Sequence, residues 1–360
     1  MRSVLSHWLR NPPFGWQVEP VYAGMESDGY RYARRFTSRF LGIPEDCPRD
    51  EVVEAYPGDV FFGLDLQPQI IPRQIEVLKE WYRRGVSLQF LVYDLLPVLR
   101  PDFFPKGAKE GFQIWLGAVA QFDGAVCISQ ATAVDLQAWL QDFGPKRHRS
   151  FAVHWSHIGA DWENDVPTTD MPVDAPQVLA ALTARPSFLS VGTIEPRKAH
   201  AQTLAAFETL WAQGLDANLV LVGKQGWKVE VLVERLRNHA ELGKRLFWLE
   251  LISDEYLEKV YAASTCLIAA SEAEGFGLPL IEAAQHRLPI IARDIPVFRE
   301  VAGQHALYFE NSKDPKVIAK HVALWIELKA AGKAPLSVEM SWLTWAQSAQ
   351  QLIEIITESE

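Results

Sequence analysis

Cysteine is scarce in this chain: three among 360 residues, Cys47, Cys127 and Cys266, far apart and with no Cys-x-x-Cys pair. That excludes a disulfide framework and a zinc ribbon, and it fits a reducing cytoplasm. Positive charge is short as well. With 35 Lys and Arg against 45 Asp and Glu, the formal charge is −10, the wrong sign for a protein that must neutralise nucleic-acid phosphates. No apolar run approaches the ~20 residues of a membrane span, and the longest, such as Leu88–Leu99, carry a charge or a proline. Low-complexity tracts and short-period repeats do not occur. What is present is an ordinary globular composition, 48% hydrophobic and 22% charged. The length exceeds what one core usually serves, so two domains are expected.

Short apolar runs ending in Gly, Asp or Ser alternate with segments of helical period, the pattern of parallel sheets wrapped by helices. In the first half strands are expected at Gln17–Ala23, Asp59–Leu64, Leu88–Tyr93, Gly124–Ser129 and Phe151–Trp155. Helices are expected near Pro72–Arg84, Lys109–Gln121 and Gln130–Phe143. Residues 161–184, rich in Asp, Pro and Thr, read as a linker. A second series follows, with strands at Ser187–Val191, Ala217–Val222, Arg245–Trp248, Thr265–Ala269, Pro289–Ala292 and Ala306–Phe309. Its helices are read near Ala199–Gln213, Trp227–His239, Ser253–Ser264 and Pro279–Arg287. The fold class is therefore α/β, with two Rossmann-like domains at 1–165 and 166–340. An amphipathic segment at 341–360 has nothing after it to cover its apolar face, so it must pack back on the first domain. Met1–Arg10 reads as an amphipathic helix, without the long apolar core of a signal peptide.

The stretch Ser271-Glu272-Ala273-Glu274-Gly275-Phe276-Gly277-Leu278-Pro279-Leu280-Ile281-Glu282-Ala283 lies between a strand and a helix. Gly275 and Gly277 tolerate positive φ and close approach of a ligand, and Pro279 suits a first helical turn. The helix N-terminus then offers amide donors and the positive end of the helix dipole to an anion, typically phosphate. Glu274 and Glu282 flank seven residues. An ionised carboxylate only accepts hydrogen bonds, so its natural partners are vicinal hydroxyls, on a ribose or a sugar. The alternative for Glu282 is that it complements the helix N-terminus.

This Glu-x7-Glu pattern around Glu274-Gly275-Phe276-Gly277-Leu278-Pro279 resembles the signature of retaining glycosyltransferases of family 4, which have the GT-B fold of two Rossmann-like domains facing across a cleft. The resemblance implies that Glu274 lies near the transferred sugar and Glu282 on the nucleotide ribose. It also implies that the backbone of Gly275, Phe276, Gly277 and Leu278 meets the donor's phosphates and sugar. A second likeness is Val191-Gly192-Thr193-Ile194-Glu195-Pro196-Arg197-Lys198, at a strand carboxyl end, where open α/β sheets bind ligands. There the resemblance implies that Arg197 and Lys198, beside Gly192, clasp the diphosphate, and fixed cations suit the charge that a departing nucleoside diphosphate develops. Leu221–Trp227, with Gly223, and Leu251–Leu257, with Ile252, look like the loops around the donor nucleotide. Gly223 reads equally well as a turn residue only, and Ser253 and Tyr256 as a helix cap and a core aromatic. Asp294–Glu300 matches the family as structure that closes the sheet.

On the acceptor side, Leu91–Pro97 ends a strand, and Tyr93 stands where many relatives carry a histidine. Asp94 is then a candidate to contact the reacting sugar or acceptor hydroxyl, its alternative being to orient Arg100; Asp65 is a second strand-end acid. His154 and His157 read as structural. The phrasing of Leu91–Pro97, Asp59–Leu66 and Gly192–Lys198 looks like bacterial mannosyl- and rhamnosyltransferases of O-antigen or exopolysaccharide synthesis. It implies a GDP-linked mannose-type donor, with UDP- or dTDP-sugars as alternatives, and a saccharide or lipid-linked acceptor. No metal or cofactor is called for: no D-x-D stands at a strand end, and Arg197, Lys198 and a helix N-terminus can do a cation's work. The competing readings are an epimerase or sucrose-synthase-type enzyme, and a non-catalytic nucleotide-sugar-binding protein of the same fold. A cytoplasmic protein touching the inner membrane face is expected, because Arg31, Arg34, Arg35 and Arg39 recur beside Tyr32 and Phe36 on nearly one helical face. A solvated basic face is the alternative. The resemblance also places a central strand and a glycine-bearing loop before the first helix, so about 20–40 residues are expected upstream of Met1.

Overall fold

The computed structural model describes residues 1–43, 49–146, 150–161 and 168–358. Cys47 and part of the 161–184 linker lie outside the described residues. The chain divides into two compact units, one of Met1–Leu99, Lys106–Asn164 and Leu343–Glu360, the other of Arg100–Pro105 and Asp165–Trp342. Residues 100–105, read as part of the first domain, thus cluster with the second. Trp227 explains this, since its indole donates to the Phe103 carbonyl at 2.8 Å and its ring stacks on Phe104.

The first unit opens with the helix Arg2–Arg10; a two-residue antiparallel ribbon, β1 (Val21–Tyr22) on β2 (Arg31–Tyr32), comes next, and then a parallel sheet of β3 (Val60–Gly63), β4 (Ser87–Val92), β5 (Gly124–Cys127) and β6 (Ala152–Trp155) in that order. The strand expected at Gln17–Ala23 is therefore not a sheet strand. Pro20 lacks the N–H a ladder needs, and its carbonyl instead accepts from the Ala33 amide. β5 is buried along its whole length, as an apolar run in a covered parallel sheet should be. Ser129 starts the next helix, Gln130–Phe143, by accepting from the Thr132 amide. The helix read at Pro72–Arg84 breaks into Ile70–Arg73 and Ile75–Arg83. Only Arg34, Arg35 and Arg39 share the helix Arg34–Leu41, whereas Arg31 and Tyr32 sit on β2, so the four-arginine helical face does not form. Arg34 pairs with Glu51 at 2.9 Å.

The helix Trp345–Thr357 carries a capping box of Thr344 and Gln347 and packs on the first helix, Arg2–Arg10. Trp8 donates its indole N–H to Ala349, and Gln89 of β4 reaches the Ile356 carbonyl. Beside β3 runs a groove of about 1060 Å³ whose lining includes Trp16, Tyr22, Phe62 and Ile353.

The second unit is one six-stranded parallel sheet. Its strands are β7 (Ser187–Val191), β8 (Asn218–Val222), β9 (Leu246–Leu249), β10 (Cys266–Ala269), β11 (Ile290–Arg293) and β12 (Ala306–Phe309), in the order β12-β11-β10-β7-β8-β9. The winding reverses at β7, which lies between β10 and β8, so the loops leaving β7 and β10 diverge at a topological switch point, where such sheets bind ligands. Leu189, Leu219 and Leu267 are fully buried, in keeping with coverage of both faces. The sequence reading omits a 16-residue helix, Pro315–Ala330, although Asp314 followed by Pro315 is a start signal; Asp314 accepts from the Lys316 amide. This helix packs on His200–Ala212 and inserts Trp325 edge-on against Phe188. Among the described residues no helix is long and apolar enough to cross a membrane.

Candidate active site

The site grows from the carboxyl ends of β7, β8 and β10. β7 runs into Gly192 with φ +142°, and β8 into Gly223 with φ +153°. These two loops touch: a Cβ on Gly223 would lie 2.1 Å from the Gly192 carbonyl oxygen, and one on Gly192 would meet the Lys198 side chain at 3.1 Å. Only glycine leaves room for both. The Ile194 amide donates to Lys224 and the Gly226 amide to Ile194, so the loop after β7 is laced to the loop after β8.

From there the chain makes a short 3-10 turn, Pro196–Lys198, and enters the helix His200–Ala212 through Ala199 at φ +55°, a costly conformation for a residue with a Cβ. The turn carries Arg197 and Lys198 to the loop after β10. Arg197 Nη1 lies 2.5 Å from Glu274 Oε2, Lys198 Nζ 2.5 Å from Glu274 Oε1, and Arg197 Nη2 2.6 Å from Glu195 Oε1. The Glu272 amide donates to the Arg197 carbonyl at 2.8 Å, which ties the two loops through the backbone. Burial pushes the Glu274 carboxyl up, but Lys198, Arg197 and a bond from Ser271 outweigh it and hold the group down at about 2. Glu274 is an anion at any working pH. Burial pushes Glu195 up, against the pull of Arg197 and Lys198, and its Oε2 meets no partner among the described residues.

The loop ends at Gly277, φ +106°, where a Cβ would meet the Phe298 ring at 2.9 Å. The helix Leu278–Gln285 starts there with no side-chain cap and with Pro279 in its first turn. Its N-terminus adds a positive partial charge to the two cations. Glu282 sits one turn in, half-buried, and accepts from the Tyr261 hydroxyl at 2.6 Å.

Of the residues singled out in the sequence, Gly192, Gly223, Arg197, Lys198, Glu274 and Gly277 come together at the switch point. Gly275 and Phe276 are buried within the same loop, and Leu278 heads the helix. Ile252 is half-buried on the loop after β9, next to Leu251, which is exposed and holds φ +52°. Ser253 is a helix cap, accepting from the Tyr256 amide, and Tyr256 is buried. Asp94 belongs to the first unit, at the end of β4, where its Oδ1 accepts from the Leu96 amide at 2.9 Å. Tyr93 donates to the Leu64 carbonyl. Arg100 is held by Glu272 at 3.3 Å and Asp102 at 3.7 Å.

Sequence reasoning missed four residues. Glu195 was visible only as text within its motif. Tyr261 sits on the helix Asp254–Ala263, beyond the Leu251–Leu257 stretch that the sequence singled out. His200 is fully buried, and Arg293 anchors the end of β10 by donating to the Ala270 and Ser312 carbonyls. Burial of polar groups by distant segments leaves no local signal.

Residues 174–337 match the family model described as glycosyl transferases group 1. This stretch is a glycosyl transferases group 1 domain. The chain is 45% identical over 356 residues to the serotype-specific mannosyltransferase WbdA of Escherichia coli, an alignment covering 98% of this chain and 43% of that protein. It thus spans less than half the length of that relative. The O-antigen chain mannosyltransferase B of Escherichia coli is 30% identical over 164 residues, 43% of this chain and 42% of that one. Among solved structures, Anabaena HepE in complex with UDP and glucose superposes with a TM-score of 0.56 at 17% identity, over 84% of this chain and 74% of that chain. Sucrose-phosphate synthase from Thermosynechococcus elongatus does so with 0.58 at 19%, over 83% and 71%. The glycosyl transferases group 1 domain thus sits in a chain of GT-B fold, two α/β units each built on a parallel sheet.

Proposed function

We propose that this chain is a retaining mannosyltransferase that moves mannose from a GDP-linked donor to a saccharide or lipid-linked acceptor in bacterial O-antigen synthesis. The observation that carries the reading is the cluster at the switch point of the second sheet, two cations and a helix N-terminus gathered around Glu274. The 45% identity to a mannosyltransferase supports the choice of sugar.

Arg197 and Lys198 bind the donor's diphosphate, and their charges oppose the negative charge that builds as the nucleoside diphosphate leaves. Backbone donors of the glycine loop and the N-terminus of the helix Leu278–Gln285 add to the same field. Glu274, ionised, cannot protonate a leaving group; it accepts hydrogen bonds from the hydroxyls of the transferred sugar once the diphosphate has taken over its cations. Glu282 accepts from the ribose diol, and Ile252 lies against the base. Asp94 serves the acceptor from the first unit. The reaction takes place at the inner face of the membrane, where a lipid-linked acceptor is presented.

The test is transfer from GDP-mannose, UDP-glucose and dTDP-rhamnose to a mannose-terminated acceptor. Turnover with GDP-mannose giving an α-linked product is expected. Binding of nucleotide sugars without turnover on any acceptor would replace this reading by a non-catalytic sugar-nucleotide binder.

A further inference from the structure

Tyr261 lies on the helix Asp254–Ala263, fully buried, and spans two points of the neighbouring helix Leu278–Gln285 and its cap. Its hydroxyl donates to Glu282 Oε2 at 2.6 Å, and its ring lies flat on His286, centroids 5.0 Å apart and planes at 3°. Glu282 and His286 are one helical turn apart, so a single side chain grips that helix along one face.

A half-buried carboxylate intended for a diol faces a conflict. Two hydroxyls give it hydrogen bonds only while it is ionised, because a protonated acid is itself a donor and loses acceptor capacity. Burial favours the neutral acid, and it pushes Glu282 upward; the bond from Tyr261 pulls the other way. Tyr261 is suited to this. Burial drives its own phenol well above the usual value, so it stays a donor throughout the working range. A short O–H···O⁻ bond is also directional, so it holds the carboxylate in one orientation.

We infer that Tyr261 is a positioning residue for nucleotide recognition, holding the Glu282 carboxylate ionised and oriented while its remaining lone pairs accept the donor's ribose diol. The inference rests on the assignment of Glu282 to the ribose.

The experiment compares binding of GDP and of 2′,3′-dideoxy-GDP to the full chain by calorimetry. In the wild type the dideoxy analogue should bind at least tenfold more weakly, since each hydrogen bond to a charged group is a strong one. In Tyr261→Phe the binding of GDP should fall five- to twentyfold while that of the dideoxy analogue changes less than twofold, so the ratio collapses. In Glu282→Ala the ratio should also collapse, and adding Tyr261→Phe to that variant should weaken GDP by no more than twofold further. A wild-type ratio in Tyr261→Phe, or a further tenfold loss in the double variant, would show that Tyr261 acts through packing and would overturn the inference. A wild-type ratio in Glu282→Ala would instead overturn the ribose assignment beneath it. If Tyr261→Phe folds poorly, the double-variant comparison is made between Glu282→Ala proteins carrying Tyr261 or 3-fluorotyrosine there, which keeps the ring packing; any change in GDP affinity beyond twofold in that pair counts against the inference.

Discussion

Arg197 is divided between two carboxylates, with Nη2 on Glu195 at 2.6 Å and Nη1 on Glu274 at 2.5 Å. Glu195 is buried at the strand end, so it anchors the guanidinium from behind. Glu274 sits on the glycine loop and also engages Lys198. Two formal positive and two formal negative charges balance within a few ångströms; on the proposed function, an arriving diphosphate would compete with Glu274 for its cations. On that reading the exchange would free the carboxylate to meet the sugar.

Replacing Arg197 or Lys198 by alanine should therefore weaken donor binding and slow transfer by at least tenfold each. Charge-assisted bonds to phosphate contribute roughly 1.5–3 kcal/mol. Steady-state kinetics with GDP-mannose measure it, and unchanged kcat/KM in both variants would refute the diphosphate assignment.

The two glutamates should separate kinetically. With Glu282 on the ribose and Glu274 on the reacting sugar, as proposed, Glu282→Ala should chiefly raise the donor KM by loss of ground-state contacts, whereas Glu274→Ala should chiefly lower kcat. Equal effects on KM alone would show the roles to be misassigned.

His200 makes stability depend on pH. The ring is fully buried beneath Lys198, and neither nitrogen closes a hydrogen bond of good geometry, although the Gly192 and Thr193 backbone lies close. Burial first, then Lys198, lowers its pKa from 6.5 to about 4. The unfolded chain therefore binds a proton below pH 6.5 that the folded chain refuses until about pH 4. Stability is full above 6.5 and falls as the pH drops between those values, by about 1.4 kcal/mol per unit. Thermal melts of wild type and His200→Leu from pH 7 to 4 should show a shallower decline in the variant; parallel declines would count against this account.

Gly223→Ala should be far worse than Gly214→Ala. Gly214 has φ +91° with nothing within 4 Å of an added Cβ, so only backbone strain of about 1 kcal/mol is at stake. At Gly223 the Cβ would meet the Gly192 carbonyl oxygen at 2.1 Å, and the two strand-end loops must part. A melting temperature lowered several degrees further, with weakened GDP binding, is expected by calorimetry.

Much of this protein was legible in the chain because the relevant physics is local. Apolar runs capped by Gly or Asp marked ten of the sheet strands, and Gly277 and Pro279 marked the start of the helix Leu278–Gln285. The ribbon at Val21–Tyr22 was misread because an apolar stretch was weighed above the missing N–H of Pro20. The helix Pro315–Ala330 was overlooked although Asp314 and Pro315 announce it.

The tertiary structure alone decided what faces what. That Glu274 holds Arg197 and Lys198 across 77 and 76 residues, that Glu195 backs the arginine, and that Tyr261 reaches Glu282 across 21 residues are consequences of strand order. Sequence determines which groups can ionise, cap or turn, because those properties act over a few residues. Which buried charge meets which partner depends on sheet topology, since the cost of an unpaired buried ion is met only by a group that the fold brings from elsewhere in the chain.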